Sequence, residues 1–159
     1  IAEVQAARLL REAGLDGPAV DVAALGELLG VRTMSGTDLP ASGLATETDD
    51  GWAIVLAAGD PPTRRRFSLA HELKHIIDDP FIDWLYPGYG AFSTDLLAER
   101  AADQFAAALL MPKAWIKRDW GDRHQDLRRL AARYGVSMSA MNVRLGEFGL
   151  SKIDVGHGR

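Results

Sequence analysis

The sequence contains no cysteine, only four histidines among 159 residues, and no long apolar run. Without cysteine there is neither a disulfide framework nor a thiolate ligand, so any metal must be held by histidine and carboxylate side chains. The longest apolar stretches, such as Trp52 to Ala58, fall far short of the roughly 20 residues that a membrane-spanning helix needs. No signal-peptide pattern opens the chain, although a start at Ile1 rather than Met leaves room for a trimmed leader, and a cytoplasmic location is expected. The net charge of −4 offers no basic excess for sequence-independent binding to nucleic acid. What remains, 47% hydrophobic and 25% charged residues, is ordinary for a soluble globular chain with one core.

The chain does have His71-Glu72-Leu73-Lys74-His75, an HExxH motif inside the apolar-periodic run from Phe67 to Ile77. On a helix, residues four apart share one face, so both imidazoles can point at the same spot. Two neutral imidazoles at that spacing are a common half of a zinc site, and Glu72 falls where a carboxylate can polarise a zinc-bound water. The plainer alternative is a pair of histidines on the polar side of a core helix, one of them capping a carboxylate.

Taken in order, the pattern predicts helices over residues 2–13 and from an Asp21 N-cap through Leu29, ended by Gly14 and Gly30. Short strands follow at Val31 to Met34, Leu44 to Thr48 and Trp52 to Leu56, the last two joined by an Asp49-Asp50-Gly51 turn. Thr63 is the expected cap of the HExxH helix, whose first turns carry Arg64, Arg65 and Arg66, a triplet read as a solvated helix end. Asp78-Asp79-Pro80 ends that helix, and residues 81–93 read as an ordered aromatic and glycine-rich loop. A long helix spans Asp95 to Leu110, with Leu96, Leu97, Ala101, Phe105, Ala108 and Leu109 as its expected buried side. A short turn of helix around Trp115 and two helices, Asp126 to Tyr134 and Ser137 to Phe148, complete the chain. The expected fold class is α+β: a small antiparallel or mixed sheet packed on a helical zincin-like core with a C-terminal helix pair. It forms a single domain over 1–159, made of N-terminal helices (1–30), sheet (31–58), the two ligand helices (63–112) and a helix-turn-helix-like pair (126–148).

Two histidines do not complete a zinc site, which takes a third protein ligand and leaves a position for water. Glu99, on the long helix 24 positions beyond His75, is the best candidate, and Asp103 lies four residues further on. Glu99 can bind the metal while Asp103 accepts the free ring N–H of a liganding histidine. Alternatively both are solvent-facing acids on an amphipathic helix. The extended HExxHxxGxxH motif is excluded, because Asp78 and Phe81 stand where glycine and the third histidine belong. His124, in a charged loop, and His157, in a Gly-His-Gly tail, remain outside candidates.

With these residues the chain resembles the ImmA/IrrE metallo-endopeptidases of bacteria, their phages and mobile elements, a gluzincin-like group. The resemblance rests on Phe67 to His75 and on Glu99-Arg100-Ala101-Ala102-Asp103-Gln104-Phe105-Ala106 running on to Leu110-Met111-Pro112, and extends to Leu130 through Leu145. It implies that His71, His75 and Glu99 are metal ligands for Zn²⁺ (or Mn²⁺, which the same donors suit) and that Glu72 is the catalytic base. It implies Asp103, where many members have Asn, as the residue accepting the histidine N–H. It also implies a protein substrate, a helix-turn-helix repressor cut at one place to relieve repression of a mobile element or stress regulon.

An additional donor to the developing oxyanion is expected from Tyr86, Tyr89 or His124. Trp52 to Leu56 is either an open edge for an extended substrate or a core strand with no free edge. The competing function is a binding module: a non-catalytic metal-binding sensor, or a DNA reader using residues 126–148 with Asn142 and Arg144 as base contacts. That segment's thin basic content makes direct nucleic-acid binding unlikely.

Overall fold

The computed structural model describes residues 1–121 and 125–150. The order of elements is α1 (Ala2–Glu12), α2 (Val22–Leu28), β1 (Arg32–Gly36), β2 (Gly43–Thr48), β3 (Gly51–Ala57), α3 (Pro62–Asp78), α4 (Ile82–Leu85), α5 (Thr94–Leu110), α6 (Lys113–Gly121), α7 (Leu127–Tyr134) and α8 (Met138–Glu147). The class is α+β with a mixed sheet, as the sequence pattern predicts.

The sheet has the order β1-β3-β2, with β1 parallel and β2 antiparallel to β3. Trp52 to Leu56 is therefore the central strand and offers no free edge; the edge beside the helices belongs to β2. Ile54 and Leu56 of β3 are buried against α3, the HExxH helix. Pattern alone cannot place a strand at centre or edge, since pairing partners are set by the chain's path rather than by its local residues.

Helix α3 begins two residues earlier than expected, at Pro62 with Pro61 as N-cap, so Thr63 is not its cap. Proline suits that first position because its missing N–H has no intrahelical partner there. Leu69, Ala70 and Leu73 form its buried stripe. The arginine triplet is not a free solvated end. Arg64 donates to the Ser42 hydroxyl at 2.7 Å, Arg65 bonds Ser35, and Arg66 donates to backbone carbonyls of the α7–α8 turn.

Helix α5 packs against α3 on one side and α1 on the other. Its buried residues are Ala98, Ala102, Phe105, Ala106, Ala108, Leu109 and Leu110, whereas Leu96 is 39% exposed. The expected buried side thus erred at the N-terminal end, because a helix covered on two sides buries a wide arc and lets small alanines set the close approach. Residues 81–93 are more ordered than a loop: a 3-10 turn leads into α4, and Tyr89 and Phe92 exchange backbone hydrogen bonds at 3.0 Å. Helix α6 is longer than the single turn expected.

Lys74, the fourth residue of the motif, is buried, and its ammonium contacts the Asp78 carboxylate and the Tyr86 hydroxyl. Gln5 of α1 also donates to Asp78, at 3.2 Å, so this polar cluster ties α1, α3 and α4's C-terminal end together. A charge this deep is tolerated only because it is paired and hydrogen-bonded. Among the described residues, no helix is long and apolar enough to cross a membrane.

Candidate metal centre

The i, i+4 spacing on α3 brings His71 and His75 to one face, with their Nε2 atoms 3.1 Å apart. Helix α5 crosses that face and delivers Glu99, whose two oxygens lie 3.3 Å from His71 Nε2 and 3.2 Å from His75 Nε2. These three residues form a group able to hold a metal ion among the described residues. Ligands about 2.0–2.1 Å from a tetrahedral ion stand about 3.3 Å from one another, so the observed triangle has the right size.

Proton positions support the same reading. His71 Nδ1 lies 2.9 Å from Asp103 Oδ1, four residues beyond Glu99 on the same face of α5. An ionised carboxylate only accepts, so His71 Nδ1 is the donor to Asp103, and in the neutral imidazole that leaves the Nε2 lone pair directed at the Glu99 carboxylate. Acceptors facing one another at this distance are unfavourable unless a cation or proton lies between them. The donor set, two imidazoles and a carboxylate, suits a divalent metal of the Zn²⁺ or Mn²⁺ kind.

Glu72 sits on the adjoining stripe of α3, turned toward β2, and its Oε2 accepts the Ala45 N–H at 3.1 Å. Gly43 makes that approach possible: a Cβ built there would lie 3.0 Å from Glu72 Cγ and 3.3 Å from Ser68 Cβ. Two hollows meet at Glu72 and Glu99. One, of about 800 Å³, runs past His71 toward the α7–α8 turn, and the other, of about 390 Å³, runs past His75 toward Leu44 and Trp52. The triangle of donors therefore lies midway along a groove under the edge of the sheet.

The suggested oxyanion donors are placed elsewhere. Tyr86 is buried and donates to Asp78, and burial raises its phenol above the ordinary value, which keeps it a neutral donor. Tyr89 is 66% exposed beside Phe92 and lines neither hollow. His124 and His157 lie outside the described residues. Gly43, Ala45 and Arg66 were missed as site residues. The available signals were a glycine heading a strand, and the phase of Arg66, which shares the inward stripe of Leu69, Ala70 and Leu73.

A peptidase family model described as the IrrE N-terminal-like domain matches residues 27–146. The radiation response metalloprotease IrrE of Deinococcus radiodurans is 32% identical over 100 residues, which cover 59% of this chain and 30% of that protein. A Mycobacterium tuberculosis transcriptional regulator of known structure superposes with a TM-score of 0.72 at 22% identity, over 91% of this chain and 46% of that one; the likeness is one of fold. The chain spans less than half the length of either relative.

Proposed function

Because the chain belongs to the IrrE N-terminal-like peptidase family, we propose that it is a metal-dependent endopeptidase in which His71, His75 and Glu99 hold a divalent cation and Glu72 is the general base. The observation that carries this reading is the convergence of three donors beside the Glu72 carboxylate, which stands outside the donor group, in an open groove. A fourth protein ligand would argue for a structural ion instead.

When bound, the cation supplies Lewis-acid chemistry, acidifying water and polarising a carbonyl oxygen. Glu72 takes the proton from the attacking water and returns it to the leaving amine. The Ala45 N–H fixes the Glu72 carboxylate at the wall of the groove, so the base needs little reorganisation. Asp103 holds the His71 ring in one tautomer and orientation. The exposed edge of β2 flanks the groove, where an extended peptide can add as a further strand.

The substrate we propose is a protein, a helix-turn-helix repressor cut at one site, so that cleavage relieves repression of a mobile element or stress regulon. The description of the relative as a radiation response metalloprotease is in keeping with such a regulatory cut. A DNA-reading role for α7–α8 finds less support. Arg144, one of its two candidate base readers, is 5% exposed and bonded to the Met111 carbonyl, Glu3 and Glu147.

The test is to mix the protein with the helix-turn-helix protein encoded beside it, with Zn²⁺ or Mn²⁺, and read intact masses. A single metal-dependent cut is expected, absent in Glu72→Gln, which keeps its metal. A Glu72→Gln variant with full turnover, or one that loses the metal, would refute the assignment of Glu72.

A further inference from the structure

The chemistry above uses α3, α5 and β2 and leaves α7 and α8 without a role, yet these helices are fastened next to it. Arg66, five residues before His71, donates through Nε to the Gly135 carbonyl at 3.1 Å and through Nη2 to the Tyr134 carbonyl at 3.4 Å. These are carbonyls that the end of α7 leaves without intrahelical partners. Gly135 closes α7 in the left-handed region at φ 64°, and a Cβ there would lie 3.1 Å from Arg66 Nε. The turn is thus seated directly on the guanidinium.

That seating makes the α7–α8 turn one wall of the 800 Å³ hollow that reaches His71 and Glu72. Val136 and Ala140 face it from the turn and Phe67 from α3, one helical turn before His71. Phe67 and Ala140 also line a second hollow of about 360 Å³, where Ala107, Met111 and Val143 continue the apolar surface. Ala140 is the small residue at the junction of the two.

We propose that the α7–α8 turn is the specificity wall of the peptidase groove: Phe67, Val136 and Ala140 form a subsite for an apolar side chain of the substrate next to the cut bond. Arg66 is the positioning residue that seats this wall. The inference rests on the endopeptidase reading. Its occupant is indicated by these three apolar side chains, which stand together among the serines, threonine and arginine lining the rest of the hollow, and by continuity with the groove holding Glu72. The side chain at 140 sets the depth, so one added ring there excludes a large substrate residue.

The experiment is digestion of a random-sequence synthetic peptide library with Zn²⁺- or Mn²⁺-loaded protein, with cut sites read by mass spectrometry. Wild type is expected to enrich Leu, Ile, Met or Phe at one position flanking the cut. Ala140→Phe should shift that position toward Ala and Ser by about tenfold or more, the scale on which an apolar pocket discriminates size. The opposite variant, Val136→Ala, should shift it toward larger residues, so either change can decide the matter if the other fails to fold. Arg66→Gln should raise KM for the preferred peptides more than it lowers kcat, with partial recovery in Arg66→Lys. Unchanged cut-site profiles in folded, metal-loaded Ala140→Phe and Val136→Ala would overturn the subsite. If wild type cuts no peptide, the endopeptidase reading is decided separately by the repressor digest. The subsite is then decided by anisotropy with fluorescein-labelled Ala-rich peptides carrying one Leu or Phe. About tenfold weaker binding to Ala140→Phe supports the wall, and equal binding refutes it.

Discussion

Gly43→Ala tests how Glu72 is placed. The added Cβ would lie 3.0 Å from Glu72 Cγ, 3.3 Å from Ser68 Cβ and 3.4 Å from Glu72 Oε1. Carbon atoms in comfortable contact stand about 3.5–4.0 Å apart, so a neighbour must give by a few tenths of an ångström. Strand β2 cannot easily move, being paired with β3 at every position from Gly43 to Thr48. The Glu72 side chain, half-buried and able to rotate, is the part that gives, and its bond to the Ala45 N–H lengthens and weakens. A misplacement of about 1 Å at a catalytic group costs on the order of 10²-fold in rate, so a smaller shift of the proposed base should cost roughly tenfold. Stability should change by less than about 1 kcal/mol, because the relieved clash is offset by the smaller unfolded-state entropy of alanine. Metal affinity should stay at the wild-type value, since His71, His75 and Glu99 are not touched. The assay compares kcat on a substrate that the wild type cuts, the metal affinity and the melting temperature of the two proteins. Wild-type kcat in Gly43→Ala would refute the tight-approach argument. Loss of metal would show that the strain reaches the histidines and not the base.

Removing the carboxylate in Asp103→Ala should weaken metal binding about 10–100-fold, measured by competition with a chelating dye, while Asp103→Asn, which can still accept from His71 Nδ1, should retain most of it. On α6, burial alone would raise the Asp119 carboxyl, but hydrogen bonds from Arg118 and Tyr134 and the charge of Arg133 outweigh it and hold the group below its ordinary 3.8. A depressed carboxyl stabilises the fold above its unfolded value and loses that contribution as the pH falls through the folded one. Urea melts should therefore show Asp119→Asn losing stability relative to wild type at pH 7 and closing the gap below about pH 4; a gap that persists undiminished at pH 2–3 would contradict the sign.

The local features were legible because their causes are local. Spacing of four puts His71 and His75 on one helical face, glycine and aspartate mark the β2–β3 turn, and the two C-terminal helices read as starting at Asp126 and Ser137 do start there, with those residues as N-caps. Where local cues pointed wrongly, a distant partner decided. The arginine triplet looks solvated until α7 and its orphan carbonyls arrive beside Arg66. Lys74 sits among polar neighbours in the motif, yet it is buried because Asp78 and Tyr86 satisfy its ammonium. Tyr86, a reasonable oxyanion donor by composition, is held in that same cluster.

By itself, the sequence determined which side chains could make a metal centre and that Glu99 and Asp103 share one face of a second helix, since helical periodicity is a property of the chain's own spacing. Only the tertiary structure decided that the second helix crosses the first where those side chains meet, that β2 rather than β3 is the edge strand beside the groove, and that Gly43 and Arg66 bring a strand and a turn into contact with α3. Those outcomes depend on packing between segments far apart in the chain, where the close approach of two surfaces is set jointly by both and is written in neither alone.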